Sequence, residues 1–385
     1  MSGEPRISVI VPCYDVERWL PRCLDTTLAA LPPDAELIAV DDGSTDSTPA
    51  ILRAHAEADE RVRVVSAVHG GASAARNRGL DVAAGRYVFF VDADDEVDPD
   101  YFSAMVGALE RDGADCCVCA MSEREDGSSV RRPSRLKGDY RFRTNAEIVA
   151  GYLPRIIGYS QDDIRAWYAG TPLFARRELA SACRVAFRRD VIESHHVRFD
   201  ETVVFFEDMV FNVEYLLNAA SMTCVDRPLY HVTSRGSGQM RTFPKDGLRY
   251  CRNKLTLLRK RDAFDRRTGG ALAPLYAGTC VLSALEILAY AARGRVWRRE
   301  GFRLLNDCLR EPSVRRALAD FPLSVRKPAV ALAVMLLRLW VRLQHLGHWA
   351  SGPLGRCSAA QAPRCSDAQA PRCSDAECGV RCRRI

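Results

Sequence analysis

Three carboxylates fall within four residues, at Asp92, Asp94 and Asp95, directly after the apolar run Val88–Val91. An acidic cluster at the end of a buried strand is costly unless a cation or a ligand compensates it. Oxygen donors of this kind suit Mg²⁺ or Mn²⁺, with substrate phosphates completing the coordination. They also suit a solvated turn, because Asp favours turns and caps. Two further acidic pairs follow apolar runs, Asp41-Asp42 and Glu207-Asp208. The three could converge on one crevice, where the second holds a metal, the first hydrogen-bonds a ligand and the third supplies a base for group transfer. Asp41 reads as a turn residue. Asp42 suits a turn or cap as well as a ligand contact, and Glu207-Asp208 could equally cap a helix and complement its dipole.

These residues need a scaffold. The first 120 residues alternate strand and helix signals, which predicts an α/β fold with a mostly parallel sheet flanked by helices. Residues 7–11, 36–40, 61–66, 87–91 and 115–121 read as strands. Helices are expected over 16–31, from Asp46 or Ser47 to Ala58, from Gly70 to a terminating Gly85, and over 101–111. Pro21 sits badly inside the first of these helices. Further on, 123–143 reads as a polar loop, 183–187 as a strand, 209–219 as a helix, and 244–349 as mostly helical.

The formal net charge of +6, from 55 Lys and Arg against 49 Asp and Glu, gives no overall polyanion-binding character, and no nucleic-acid partner is expected. Ten of the fifteen cysteines, Cys13 to Cys308, are scattered irregularly through apolar segments, as reduced buried thiols are. The strand at Ile7 follows only a short polar leader, which argues against a signal peptide. A cytoplasmic protein is expected. Arg-Cys-Ser recurs at Arg356, Arg364 and Arg372, and this repeat predicts a disordered tail. Its cysteines, from Cys357 to Cys382, match no compact zinc site.

Five blocks in order carry a resemblance: residues 10–15 (IVPCYD), 40–46 (VDDGSTD), 71–80 (GASAARNRGL), 91–95 (VDADD) and 206–212 (FEDMVFN). Together they resemble family-2 glycosyltransferases of the GT-A fold. The resemblance implies a catalytic domain over 1–235, with a donor-binding half to about 122 and an acceptor half beyond it. A helical region, 236–350, and the tail, 351–385, would follow. It places Pro12 and Tyr14 against a nucleotide base, Asp42 in a hydrogen bond to that base, and Arg76 on the nucleotide side of the pocket. It makes Asp92-Ala93-Asp94 the DxD element, with Asp94 on Mn²⁺ or Mg²⁺ and Asp92 on the ribose or the metal's water shell. Asp208 becomes the catalytic base, with Glu207 orienting it. The segment 229–238 looks like the family's flexible loop after the base, although it suits a plain surface loop equally. His231 receives no role, and His195-His196 reads as a solvated turn.

The implied reaction is inverting transfer of one sugar from a nucleotide-diphosphate sugar, UDP-linked by expectation, to a saccharide or lipid-linked acceptor in surface polysaccharide or glycolipid assembly. The Gln-x-x-Arg-Trp element of processive relatives is not matched, because Gln161, Arg165 and Trp167 have different spacing. Two rivals remain. A nucleotidyltransferase lacks support from a glycine- and lysine-bearing phosphate loop near residues 10–20. An inactive binding module would have no chemical reason to keep Asp92, Asp94 and Asp208. No segment is expected to be long and apolar enough to span a bilayer. Residues 328–346 present an apolar stripe, Leu332, Leu336, Leu339, Trp340 and Leu343, interrupted by Arg338 and Arg342 and preceded by arginines from Arg293 to Arg316. That segment suits either an anionic membrane surface or packing on the rest of the protein.

Overall fold

Strands covered on both faces read as continuous apolar runs, and the centre of this sheet is built that way. The computed structural model contains β1 (Ile7–Cys13), β2 (Ala35–Asp41), β3 (Val62–Ser66), β4 (Tyr87–Phe90), β5 (Glu96–Val97), β6 (Cys116–Glu125), β7 (Arg132–Pro133), β8 (Val185–Arg188) and β9 (Met222–Ser234). One sheet orders them β3-β2-β1-β4-β8-β6-β9-β5, with β7 paired to β6. β1 runs parallel to β2 and β4, and β2 parallel to β3. The register sets Cys13 beside Asp41 and Asp41 beside Ser66, so the carboxyl ends of three strands form one ledge. Ligands of open α/β sheets bind at such ledges.

The helices of the first half are α1 (Leu20–Ala30), α2 (Thr48–Ala58), α3 (Ala72–Val82) and α4 (Tyr101–Asp112). Pro21 falls in the first turn of α1, where a missing N–H costs nothing. Helix α3 presses closely on β1: a Cβ at Gly79 would lie 2.4 Å from Ile10 Cγ2. It stops at Val82, three residues before the expected Gly85. Gly85 instead abuts β1, where a Cβ would come within 2.4 Å of the Ser8 nitrogen.

The second half reverses direction. β8 lies antiparallel between β4 and β6, while β6 and β9 run parallel through an irregular register at Cys119–Met121. Part of the expected loop at 123–143 is therefore strand. So is Leu229–Ser234, within the segment that reads as a loop, flexible or plain, from the sequence. Short helices α5 (Asn145–Gly151), α6 (Leu153–Ile156), α7 (Gln161–Tyr168) and α8 (Arg189–Ser194) lead to α9 (Glu207–Leu216). The helical region comprises α10 (Gly247–Arg267), α11 (Ala273–Arg293), α12 (Arg298–Arg310), α13 (Pro312–Asp320) and α14 (Pro328–His345).

The structure describes residues 5–126, 128, 132–234, 247–293, 298–324 and 326–345. The repeat tail, Arg235 to Gly238, Arg295 and the helix expected over 244–246 and 346–349 lie outside the described residues. One described helix, Ala273–Ala292, is long and apolar enough to cross a membrane, contrary to expectation. Its inward face, with Tyr276, Cys280, Val281, Ala284 and Ile287, is fully buried within the protein.

Candidate active site

The β1–β2 end of the ledge is built by two loops that tie each other down. Asp15 accepts from the Thr45 N–H at 2.8 Å, the Glu17 carboxylate accepts from Ser47, and Asp46 accepts from both Glu17 and Thr48. Asp41 accepts from the Ser44 N–H at 3.0 Å and so serves its own turn. Pro12 lies within β1, and Tyr14 just beyond it is 44% exposed and stacks on His69 with ring centroids 4.1 Å apart. Asp42 is buried and well supplied with donors. Oδ1 accepts from the Gly70 N–H and Arg78 Nη1, Oδ2 from the Gly71 N–H at 2.7 Å, and His69 Nδ1 lies 2.9 Å from Oδ2. Gly71, at φ 90°, turns the chain so that these N–H groups face Asp42 before α3 begins.

Arg76 joins the second and third acidic clusters. Its guanidinium, only 4% exposed, donates to Asp92 Oδ1 at 2.7 Å and lies 3.4 Å from both Glu207 Oε1 and Asp208 Oδ1. It also rests over the ring of Phe199. Burial acts to deprotonate Arg76, but Asp208, Asp92 and Glu207 outweigh it and hold the guanidinium firmly charged. Glu207 and Asp208 open α9, after Phe206 in a left-handed conformation at φ 68°. Asp208 Oδ2 accepts from the Ala182 N–H at 3.1 Å, the Ser181 hydroxyl also acts on the carboxylate, and Oδ1 is buried against Arg76. Burial, opposed by Arg76 and assisted by Asp92, pushes the Asp208 carboxyl up. Glu207 is pushed up to about 7, first by burial and then by Asp208. Both side chains still reach solvent, being 16% and 20% exposed.

The loop after β4 is fixed from below. Tyr230, on β9, accepts from the Asp92 N–H at 3.0 Å and donates to Asp95 Oδ2 at 2.8 Å. Asp95 also accepts from the Thr233 N–H, and burial with Asp94 and Asp92 nearby raises its pKa well above the usual carboxylate range. Asp95 is thereby a buried anchor, while Asp94 lines a cavity of about 580 Å³ with Arg18, Trp19, Arg22 and Arg124 among its walls. Glu96 accepts from Arg22 at 2.9 Å and from Arg124, and Arg18 pairs with Asp126.

No group of three His, Cys, Asp or Glu side chains among the described residues converges as a ready cation cage. Asp92, one-third exposed, and Asp94 on the cavity wall offer two hard oxygen donors. That pair fits Mg²⁺ or Mn²⁺ if phosphate oxygens complete the shell, which is how Mg²⁺ is ordinarily held beside substrate phosphates.

The structure thus brings Arg76, Asp92, Glu207 and Asp208 into one cluster, with Pro12, Tyr14 and Asp42 along the ledge and Asp94 on the cavity side. Sequence reasoning missed His69, Tyr230 and the arginines Arg18, Arg22 and Arg124. His69 directly precedes the Gly70-Gly71 pair, a local cue. The others are assembled by pairings across the chain and leave no local mark. His231 is buried, 2.7 Å from the Ser122 hydroxyl, and His195 and His196 lie exposed at the end of α8.

A parallel ledge entered by an acidic loop, continued by an inserted antiparallel strand and faced by an acid-initiated helix, defines a GT-A-like fold. Residues 8–167 match the description Glycosyl transferase family 2. It is 30% identical over 226 residues to the uncharacterized glycosyltransferase EpsJ of Bacillus subtilis (strain 168), covering 59% of this chain and 60% of EpsJ. It is 27% identical over 361 residues to the succinoglycan biosynthesis protein ExoO of Rhizobium meliloti (strain 1021), covering 89% of each. Among solved structures, residues 1–349 of S. aureus TarS with UDP-GlcNAc share the fold at a TM-score of 0.58 and 18% identity, over 90% of this chain and 93% of that one.

Proposed function

We propose that the protein is an inverting glycosyltransferase that moves one sugar from a nucleoside-diphosphate sugar, UDP-linked, to an acceptor hydroxyl in surface polysaccharide or glycolipid assembly. The observation that carries this is the Asp208 carboxylate: partly open to solvent at the start of α9, and held beside Arg76 on the same guanidinium that grips Asp92. A carboxylate that reaches solvent and has a raised pKa suits a general base. In this reading Asp208 takes the proton of an acceptor hydroxyl. The hydroxyl oxygen bonds to the anomeric carbon as the bond to the diphosphate breaks on the opposite face, so one displacement inverts the configuration. Arg76 keeps Asp208 oriented and Glu207 tunes its charge. Asp94 and Asp92 would hold a divalent metal, which when bound offsets charge on the departing nucleoside diphosphate.

The UDP assignment is supported by the fold shared with TarS, a protein solved with UDP and with UDP-GlcNAc. The polysaccharide assignment is supported by the likeness to ExoO, named for succinoglycan biosynthesis. Ten buried free cysteines suit a reducing compartment and support a cytoplasmic location. The test is nucleotide release from UDP-, GDP- and dTDP-sugars with Mn²⁺ or Mg²⁺, alongside Asp94→Ala and Asp208→Ala. Metal-dependent release from one donor, lost in both variants, is the expected result. Full activity of Asp208→Ala would overturn the assignment of the base.

A further inference from the structure

Helix α14 is apolar on two opposite faces. Its inward side packs Val334 and Leu337, buried to within 1%, with Trp340 stacked on Phe302 of α12. Its outward side presents Leu332 at 60% exposure and Met335, Leu336 and Leu339 each at 54%, spaced i, i+3, i+4 and i+7. Arg338 does not interrupt that stripe, contrary to the sequence expectation. It turns inward and donates to the carbonyls of Leu318, Ala319 and Phe321, where the positive charge suits the carboxyl end of α13. A surface helix should be polar on its outer face, and four neighbouring large apolar side chains left in water mark an interaction surface.

Charge says what covers it. Residues 298–385 carry 16 Lys and Arg against 7 Asp and Glu, a net +9, whereas residues 1–297 carry 39 against 42, a net −3. The excess positive charge of the chain lies wholly in the part that bears the apolar stripe. Arg299 and Arg303, exposed on α12 either side of Phe302, and Arg316 on α13 have no carboxylate partner among the described residues. Two copies meeting through this face would oppose like charges. Nucleic acid would leave the leucines uncovered, since its phosphates contribute only an electrostatic term.

We infer that the outward face of α14 docks on an anionic lipid surface, the leucines entering the headgroup boundary and the arginines pairing with lipid phosphates. This docking stands apart from the sugar-transfer reading, because its readout is partition rather than turnover.

The experiment is sedimentation of the full chain with phosphatidylcholine vesicles, with and without about one-third phosphatidylglycerol. It is run at about 0.05 M and about 1 M salt, using wild type and Leu332→Ser/Leu336→Ser/Leu339→Ser. Exposed positions were chosen so that folding, checked by thermal unfolding, stays intact. Binding to anionic vesicles at low salt, weakened about tenfold or more both by salt and by the triple variant, is the expected result. No binding to anionic vesicles at low salt would overturn the inference. So would equal binding by the triple variant, or a variant that turns a dimer into a monomer without changing vesicle binding. A chain that retains nucleic acid but not vesicles would equally count against it.

Discussion

Asp42 and Asp208 both follow apolar runs and both sit on the same crevice, yet their surroundings are opposite. Asp42 has two backbone N–H groups, an arginine and a histidine on its two oxygens. Asp208 has one backbone N–H, the Ser181 hydroxyl and a guanidinium at 3.4 Å. A carboxylate saturated with donors is a structural tie, and any base that hydrogen-bonded Asp42 would compete with the loop it already holds. A carboxylate with fewer donors, its proton affinity raised by burial, is the better proton acceptor. Position at a strand end makes an acid a candidate, and the number of donors around it decides what it does.

The sharpest way to break this contrast is Asp208→Asn, which keeps the shape and removes the base. Transfer measured by nucleotide release should fall by about 10³-fold with little change in donor KM. A loss confined to KM would move Asp208 to the binding side of the comparison. Next comes Arg76→Met, which leaves three carboxylates without their shared cation and should cost about 3 kcal/mol in urea unfolding. An unchanged midpoint would show the cluster to be solvated rather than mutually held.

Asp42→Ala should act on stability and donor KM more than on kcat, costing about 1–2 kcal/mol because the Gly70 and Gly71 N–H groups lose their acceptor. A collapse of kcat with normal folding would erase the distinction between the two acids. The smallest effect is expected from pH. Glu207 is pushed up to about 7 from 4.5, so the acidic limb of the rate should rise through about 7 as the pair loses its proton. In Glu207→Gln, with the neighbouring charge gone, that limb should move to lower pH. The sign for folding is opposite to that for rate. A carboxyl that binds its proton more tightly when folded gives stability below pH 4.5 that is lost as pH rises through 7.

Much of the donor half was legible because parallel strands buried on both faces leave uninterrupted apolar runs: β1, β2 and β4 lie within a residue or two of their expected positions. The acidic clusters stood out for the same reason, as charges that abruptly end such runs. What was not legible depends on distance. Arg76 meets Glu207 across 131 residues, and Tyr230 reaches Asp92 across 138. The last six of the thirteen residues of β9 read as a loop because Pro228 and alternating polar residues weaken the strand pattern, while pairing with β6 supplies the missing preference. Helix α11 is hard to read as one long apolar helix because Gly278, Thr279, Ser283 and Glu286 interrupt its apolar run.

The hydroxyl of Tyr230 also dates the site within the life of the chain. β1 to β4 and their helices can pair locally as they emerge during synthesis, but the loop at 92–98 gains its anchors only when β9 docks beside β5 and β6. A nascent chain stopped before residue 222 would carry the aspartates without the strand that holds them, and the crevice closes as a unit only after residue 233 has arrived.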